Sequence, residues 1–197
     1  MVPEPGRRER KKAETRKRIA DAALELFIAR GFDAVSIREI ADTADVSVAT
    51  LYAHFPSKEA LVFDEDDEVR DSLLDAVRNR STGTSIPDAL HRWMLDFVIE
   101  DHDYEAHIAQ FNALVASVPS LREYERRMWG TIDVALAATI TEELGQPAGD
   151  KTIAAFAHFV LEAWSLFDRG GQVEAQVNAV FDLLTPGWTA YEASLKR

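Results

Sequence analysis

The chain has 197 residues, of which 47% are hydrophobic and 28% are charged, so it can bury an ordinary core and is not a disordered protein. It has no cysteine, which excludes disulfides and thiolate metal sites and favours a reducing compartment. No segment approaches the ~18 consecutive apolar residues that a membrane-spanning helix requires, and the polar amino terminus lacks the apolar run of a signal peptide. We therefore expect a soluble, cytoplasmic protein of one large domain or two small ones.

The formal net charge of -12 is unevenly distributed along the chain. Residues 1–18 hold eight Lys or Arg and three Glu, whereas residues 61–197 hold eleven basic and twenty-four acidic residues. A basic end on an acidic body is typical of a protein that meets a polyanion at one end only. A solvated basic tail is the alternative, and the charge pattern alone leaves it open.

Helical periodicity begins near residue 14. Apolar residues at 19, 22, 23, 26 and 27 share one face, which predicts an amphipathic helix over 14–30, and Gly31 is placed to end it. The sequence Ser36-Ile37-Arg38-Glu39 is a capping box, in which the Ser36 side chain and the Glu39 side chain each satisfy a backbone amide of the other residue. It predicts a second helix of about two turns.

Two more helices are predicted after a tight connection at residues 45–46. Ser47 can cap a third helix, which ends at Phe55-Pro56. Ser57 can cap a fourth, which is expected to continue to about residue 80. Two short helices joined by a three- or four-residue turn form a helix-turn-helix, although an ordinary corner between packed helices has the same pattern.

Longer helices are predicted after the break at residues 81–85. Gly and Pro separate the segments, and neither a period-2 strand pattern nor a repeat at fixed spacing competes with them. The chain is therefore predicted to be all-α. The remaining segments span roughly 87–103, 104–117, 120–144, 150–169 and 173–184, with a last short piece from 188.

Many residues between positions 15 and 61 follow one fixed spacing. They are Thr15, Arg16, Ile19, Ala22, Ala23, Phe27, Gly31, Phe32, Ser36, Ile37, Ile40, Ala41, Ala44, Val46, Ser47, Thr50, Leu51, Tyr52, His54, Phe55, Ser57, Lys58, Glu59 and Leu61. This set resembles the amino-terminal domain of TetR-family transcriptional regulators. The family often has Gly where this chain has Asp45, and Asp tolerates the left-handed conformation, though less freely than Gly.

The resemblance implies a division of the chain into two domains. Residues 1–60 would form a basic arm and a helix-turn-helix DNA-binding head, and residues 61–197 a helical-bundle domain for ligand binding and dimerisation. A homodimer is implied through the helices near 150–169 and 173–184. The implied partners are a double-stranded DNA operator and an apolar or amphipathic small-molecule effector.

The third predicted helix has the residues that a recognition helix needs. Val48 and Ala49 are small, so the backbone can approach the bases in a groove ~12 Å wide. Thr50 and Tyr52 offer hydroxyls and His54 offers a ring N–H, which are groups that contact phosphates without reading sequence. Simple solvent exposure is the alternative for the polar residues.

Five further residues complete the predicted DNA-binding set. Lys58, in the first turn of the fourth predicted helix, would bind a phosphate together with the backbone amides of that turn. The leading residues of the third helix are apolar and cannot donate a hydrogen bond. Sequence specificity is therefore expected to depend on thymine methyl groups, on DNA shape, on Arg38 and on Ser47 or Thr50. The resemblance adds Arg16 and Ser36 to this set.

Aromatic and polar residues in the second half of the chain are candidate ligand contacts. Members of the resembled family bind small molecules here, and a few polar groups orient a ligand in a mostly apolar cavity. Packing in an ordinary core is the alternative for the aromatic residues. The segments RRERKK and VFDEDDE also resemble the subgroup that responds to acyl-CoA type ligands. The predicted pocket residues are Trp93, Phe97, His102, His107, Gln110, Phe111, Asn112, Trp129 and Phe159.

An enzyme finds no support in the sequence motifs. A di-iron bundle requires two Glu-x-x-His pairs, whereas Asp88 and His91 supply a single Asp-x-x-His. There is no phosphate-cradling Gly loop and no nucleophile elbow, and we expect neither a cofactor nor a metal. We predict a sequence-specific repressor that its effector releases from the operator. The alternative is a helical ligand-binding or interaction protein that does not use its head on DNA.

Overall fold

The structure is a computed structural model that describes residues 6–64, 66–99, 104–166 and 172–196. Within these ranges it is helical and contains no strand, which confirms the predicted all-α fold. No helix in the same ranges is long and apolar enough to cross a membrane. The helices are α1 (Arg7–Arg30), α2 (Ile37–Thr43), α3 (Val48–His54), α4 (Asp66–Arg78), α5 (Ile86–Ile99), α6 (Tyr104–Ser117), α7 (Pro119–Glu143), α8 (Lys151–Leu166) and α9 (Val173–Leu195), with a 3₁₀ turn at Glu59–Leu61.

Helix α1 begins at Arg7, so most of the basic arm lies inside the helix. The predicted start near residue 14 is wrong, because the first turns are polar on every side and leave no periodicity to detect. The apolar stripe is buried as expected, and Ile19 and Phe27 have no exposed surface. Gly31 has a φ of +86° and donates to the Phe27 carbonyl at 2.8 Å, which confirms the predicted end of the helix.

Helices α2 and α3 have seven residues each and begin on hydroxyl caps. The Glu39 amide donates to the Ser36 hydroxyl at 3.2 Å, and the Ser36 amide donates to the Glu39 carboxylate at 2.8 Å, which confirms the capping box. The Thr50 amide donates to the Ser47 hydroxyl at 3.0 Å. Between the two helices, Asp45 has a φ of +50° and so takes the left-handed conformation that the turn requires.

The fourth predicted helix is wrong in its first part. The Ala60 amide donates to the Ser57 hydroxyl at 3.2 Å, but this bond caps only the 3₁₀ turn, and α4 begins at Asp66. Residues 60–63 are all buried. Consecutive residues of an α-helix point in different directions around its axis, so four buried neighbours do not fit one buried face of a helix.

Helix α9 continues through the predicted break at residues 185–187, with Pro186 inside it. Proline in a helix interior removes a hydrogen bond and costs about 3 kcal/mol. Beyond the proline, Trp188 is only 2% exposed, and its ring centroid lies 4.2 Å from that of Phe156. Packing of this large side chain favours continuation of the helix, so the two predicted pieces are one element.

The described residues form two compact units. The head unit comprises Met1–Asp66 and Gln110–Glu125, and the body unit comprises Asp67–Ala109 and Arg126–Arg197. The unit boundaries therefore fall after the first residue of α4 and inside α6 and α7. In the head unit α1 packs against α2 and the 3₁₀ turn, and in the body unit α9 packs against α5 and α8. The largest fully buried side chains of the head unit are Ile19, Phe27, Ile40, Leu51, Phe55, Leu61 and Leu121, and those of the body unit are Leu73, Ile86, Leu90, Met94 and Leu136.

Candidate nucleic-acid interface

Helix α3 exposes small residues at its start and buries its opposite side. Val48 is 36% exposed and Ala49 is also exposed, whereas Leu51 and Phe55 have no exposed surface. Tyr52 is 51% exposed. No long side chain therefore projects from the first turn, and the backbone of that turn can approach a grooved partner closely.

Two of the predicted contact hydroxyls bond to each other. Ser47 Oγ and Thr50 Oγ1 lie 2.8 Å apart, in addition to the bond between the Thr50 amide and Ser47. A hydroxyl has one hydrogen and two lone pairs, so each of these groups keeps hydrogen-bonding capacity for a partner. The pair also fixes the orientation of both side chains at the start of α3.

His54 is half-buried, and its Nδ1 has no hydrogen-bond partner among the described residues. Burial lowers the pKa of the imidazole, the positive charges of Lys12 and Arg16 lower it further, and Asp64 acts in the opposite direction. A neutral imidazole donates through only one nitrogen. Because Nδ1 is buried, the predicted phosphate contact requires the hydrogen to be on Nε2.

Arg16 is bound to the end of α3. Its Nη1 donates to the carbonyl of His54 at 2.8 Å, and its Nη2 donates to the carbonyl of Asp64 at 3.1 Å. Its Nε lies 2.6 Å from the Asp64 carboxylate, in an ion pair rather than an aligned hydrogen bond. The guanidinium carbon lies 4.4 Å from the centroid of the Phe55 ring. The structure thus gives Arg16 a role inside the head unit, while its predicted DNA contact stays a prediction.

Lys58 is also directed into the head unit. Its Nζ donates to the Phe32 carbonyl at 2.5 Å and lies 4.3 Å and 5.5 Å from the ring centroids of Phe32 and Phe27. Burial lowers the pKa of this ammonium, and Asp33 is the leading group that acts in the opposite direction. Because Lys58 precedes a three-residue 3₁₀ turn, the expected anion site at the first turn of an α-helix is wrong. A phosphate contact by the side chain alone stays a prediction.

The polar residues of α2 serve different purposes. The Ser36 hydroxyl donates to Glu39 at 2.9 Å, and Arg30 donates to the same carboxylate at 2.9 Å. The Ser36 amide, the Ser36 hydroxyl and Arg30, in that order, lower the pKa of Glu39 to about 2. Ser36 therefore already stabilises the helix start, whereas Arg38 is exposed and can reach a partner.

The first half of α1 presents a row of exposed positive charges. Such charges supply the salt-dependent, sequence-independent part of an affinity for DNA. Lys17 forms an ion pair with Asp21 on the same helix at 2.9 Å. The exposed cations are Arg7, Arg8, Arg10, Lys11, Lys12, Lys17 and Arg18.

The predicted pocket aromatics of the body unit have different surroundings. Trp93 and Trp129 are partly buried against the core of this unit, and the ring centroids of Trp93 and Phe97 lie 5.6 Å apart. Phe159, in contrast, is 56% exposed. It does not lie in an enclosed cavity in the described arrangement, and its predicted ligand contact stays a prediction.

Other predicted pocket residues belong to the head unit. Gln110, Phe111 and Asn112 lie in its Gln110–Glu125 segment, and the Phe111 ring meets the Phe63 ring edge-on at 5.6 Å. His102 lies outside the described residues, as does the side chain of His107. Neither unit by itself brings the described members of the predicted set into one cavity.

Two open depressions lie next to each other in the body unit, and both include Asp88 in their lining. The larger has a volume of about 600 Å³ and includes His91, Phe181 and Pro186 in its lining, and the smaller has a volume of about 410 Å³ and also includes His91. His91 Nε2 lies 2.7 Å from Asn178 Oδ1. None of the predicted pocket residues lines either depression. Among the described residues, no group of three or more His, Asp or Glu could hold a metal ion.

Residues 63 and 64 are part of the head that the sequence analysis missed. Phe63 is 5% exposed and stacks on Tyr124, with ring centroids 5.1 Å apart and an angle of 18° between the planes. Asp64 holds Arg16. The available signal was the apolar triplet at 61–63, directly before an acidic run, since the two kinds of residue cannot share the buried face of one continuous helix.

Comparisons with known proteins agree with this geometry. The model for bacterial regulatory proteins of the tetR family matches residues 19–64. The HTH-type transcriptional regulator TcmR of Streptomyces glaucescens is 31% identical over 130 residues, a match that covers 62% of this chain and 58% of TcmR. The structure of Salmonella enterica GusR is 26% identical, with a TM-score of 0.59, and the match covers 94% of this chain and 97% of GusR.

A third protein is more distant. The structure of Thermus thermophilus FadR, a tetR-family transcriptional repressor in complex with lauroyl-CoA, is 22% identical, with a TM-score of 0.53. That match covers 86% of this chain and 93% of FadR. At this identity the likeness concerns the fold alone.

Proposed function

We propose that the chain is a tetR-family transcriptional regulator, a repressor that binds a double-stranded DNA operator as a homodimer and is released by a small molecule. The observation that carries the proposal is the outer face of α3, where a capped helix exposes Val48, Ala49 and Tyr52. The exposed cations of α1 provide the electrostatic attraction. The proteins to which the chain is similar are transcriptional regulators rather than enzymes.

We assign DNA binding to residues 1–60 and ligand binding and dimerisation to residues 61–197 of a cytoplasmic protein, although residues 61–64 and Gln110–Glu125 belong to the head unit. A helix of seven residues is only ~10 Å long and offers few base contacts. A two-fold pair of such helices can read two half-sites about 34–36 Å apart, which supplies the specificity that one helix lacks. Dimerisation is therefore part of the proposed function.

The proposed dimer forms through the helices near 150–169 and 173–184. Phe159 on α8 is 56% exposed and Leu183 on α9 is 79% exposed. Exposed large apolar side chains on adjacent helices are typical of surfaces that a partner covers. The small exposed residues Ala155 and Ala179 on the same helices would allow close approach of a second copy.

The proposed effector is apolar or amphipathic, and an acyl-CoA is the first class to try. Lauroyl-CoA is bound in the FadR structure, which makes it a suitable first probe for this chain. A ligand changes DNA binding only if it prefers one conformation of the protein, and moving a population from 1:99 to 99:1 takes about 5.5 kcal/mol of preference. The coupling is reciprocal, so saturating operator DNA should weaken effector binding by the same factor.

Selection from a random-sequence DNA library by the purified protein tests the DNA-binding proposal. We expect an approximately palindromic sequence with half-sites one helical turn apart, bound more tightly than a duplex of the same composition in shuffled order. A pool with no preferred sequence would favour the alternative, a helical ligand-binding or interaction protein that does not use its head on DNA.

Tyr52→Phe should then weaken binding to the selected duplex by about fivefold, the effect of one lost hydrogen bond of ~1 kcal/mol. Thermal stability should be unchanged, because Tyr52 is half exposed. Gel-shift titrations measure the affinity. Tyr191→Phe, which removes a hydroxyl from the body unit, is the matched control and should leave DNA binding unchanged. Lys58→Ala is a less specific test, since it also removes the bond to Phe32.

Leu183→Glu should convert the dimer to a monomer at micromolar concentration, because a carboxylate would be buried in an apolar interface. Sedimentation velocity measures the association state. Val134→Glu is the control, since Val134 is 71% exposed but lies on α7, outside the proposed interface. A monomeric parent protein that still selects a palindromic duplex would contradict the dimer proposal.

A further inference from the structure

The carboxyl-terminal end of α3 is held by one side chain from α1. Arg16 donates to the His54 carbonyl in the last turn of α3, and its guanidinium packs on the ring of Phe55, the residue that follows. The carbonyl end of a helix carries partial negative charge, so a cation stabilises it. Arg16 therefore fixes the end of α3 that lies away from its cap at Ser47.

The same guanidinium holds the chain segment that leaves the head. Arg16 contacts both the carbonyl and the carboxylate of Asp64. The preceding residue, Phe63, is buried between Tyr124 and Phe111, which belong to the Gln110–Glu125 segment of the head unit. A continuous set of contacts thus joins that segment to the end of α3 through residues 63–64 and Arg16.

We propose that Arg16 is a positioning residue, which sets the orientation of the recognition helix relative to residues 63–64 and makes no contact with DNA phosphates. This inference rests on the proposed binding of DNA by α3. The inference also gives Asp64 an indirect part in DNA recognition, through its contact with Arg16. A direct contact is not implied, since a phosphate would repel the carboxylate.

Two physical reasons favour positioning over phosphate contact. Helix α3 has seven residues and buries only Leu51, so its rotation about its own axis is weakly determined by packing alone. The Arg16 side chain is already engaged by two carbonyls, a carboxylate and an aromatic ring, and only 35% of it is exposed. A phosphate contact would require it to leave these partners.

The two roles predict opposite effects of Asp64→Ala. If Arg16 bound phosphate, removal of the neighbouring carboxylate would liberate the guanidinium and reduce repulsion, so binding to any DNA would become tighter. If Arg16 positions α3, the substitution weakens the set of contacts by which Arg16 joins residues 54–55 to Asp64, here called the clamp. Binding to the selected duplex then weakens about tenfold, comparable to one disrupted base-pair contact, while binding to the shuffled duplex is not weakened.

Arg16→Lys separates the roles in a second way. Lysine keeps the charge and could still bind a phosphate, but a single ammonium cannot contact both carbonyls, the carboxylate and the ring in the same geometry. Under the positioning role, the preference for the selected over the shuffled duplex falls about tenfold, and the slope of log K against log salt stays that of the parent. Under the phosphate role, both the preference and the slope are retained.

The experiment measures gel-shift affinities of the parent, Asp64→Ala, Arg16→Lys and the control Asp21→Ala for both duplexes at three salt concentrations. Asp21 is an exposed carboxylate on α1, the helix that carries Arg16. Its removal makes the same change in charge as Asp64→Ala without altering the clamp. Circular dichroism confirms that each variant is folded.

Loss of preference in both clamp variants and not in the control supports the inference. Tighter or unchanged binding by Asp64→Ala, retained preference in Arg16→Lys, or an equal loss in the control overturns it while the proposed function stands. A parent protein that prefers neither duplex overturns the proposed function, and the inference falls with it.

Discussion

In the head unit, polar side chains close the ends of two seven-residue helices, whereas in the body unit one apolar cluster extends over α4, α5, α7, α8 and α9. A seven-residue helix is shorter than the ~12–15 residues needed for an isolated helix to be even marginally stable in water. The geometry of the head therefore depends on caps and long-range polar contacts in addition to its apolar core. We therefore expect the removal of a single hydrogen-bonding group to destabilise the head, and the removal of apolar volume to destabilise the body.

The largest expected effect is in the body core. Leu90 on α5 has no exposed surface, so Leu90→Ala should reduce the free energy of unfolding by about 2–5 kcal/mol through the cavity it leaves. Urea unfolding followed by circular dichroism measures the change. Arg92→Ala, an exposed substitution on the same helix, is the control and should change little. A loss below about 1 kcal/mol at Leu90 would mean that the body is not held by this cluster.

A smaller effect is expected at the start of α2. Ser36→Ala removes the hydroxyl that accepts from the Glu39 amide and should cost about 1 kcal/mol. Ser36→Gly should cost only a few tenths. The same unfolding measurement applies, with Thr43→Ala at the other, exposed end of α2 as the control. If Ser36→Ala proves neutral, hydrogen-bonded caps do not hold the head and the contrast between the units fails.

The smallest effect concerns pH. The pKa of Glu39 is lowered to about 2 in the folded protein from an ordinary value of 4.5, chiefly by the Ser36 amide and hydroxyl and then by Arg30. A depressed folded-state pKa means that the stabilisation is present above pH 4.5 and is lost as the pH falls towards 2. The stability difference between the parent and Glu39→Gln should therefore shrink between pH 5 and pH 3. A difference that stays constant over this interval would exclude the ionised capping box as its source.

Local signals in the sequence predicted those features whose partners are near in the chain. The capping box, the Ser47 cap, the Gly31 terminus and the left-handed Asp45 all depend on atoms within about four residues. Such contacts are encoded in the spacing of a few residues. This is why α2 and α3 could be predicted nearly to the residue.

Features that depend on distant partners could not be predicted in this way. Arg16 contacts residues 54 and 64, and Lys58 contacts residue 32, so their internal roles arise only when the chain folds. Pro186 is a local helix breaker, and α9 continues past it into the packing of Trp188 against Phe156, a residue distant in the chain. The pocket prediction had the same weakness, because aromatic residues at helical spacing occur in cores and in cavities alike.

The early start of α1 has a consequence for its own stability. Residues 7–18 hold eight cations and only two glutamates, and they occupy the end of the helix where the aligned peptide dipoles are already positive. Like charges repel one another over three turns there, and no apolar stripe offsets the repulsion before Ile19. This repulsion lowers the stability of the helical form of these turns. Phosphates that neutralise the charge should raise that stability again. In the proposed complex with DNA, the phosphates would therefore stabilise the first turns of α1 as well as attract them.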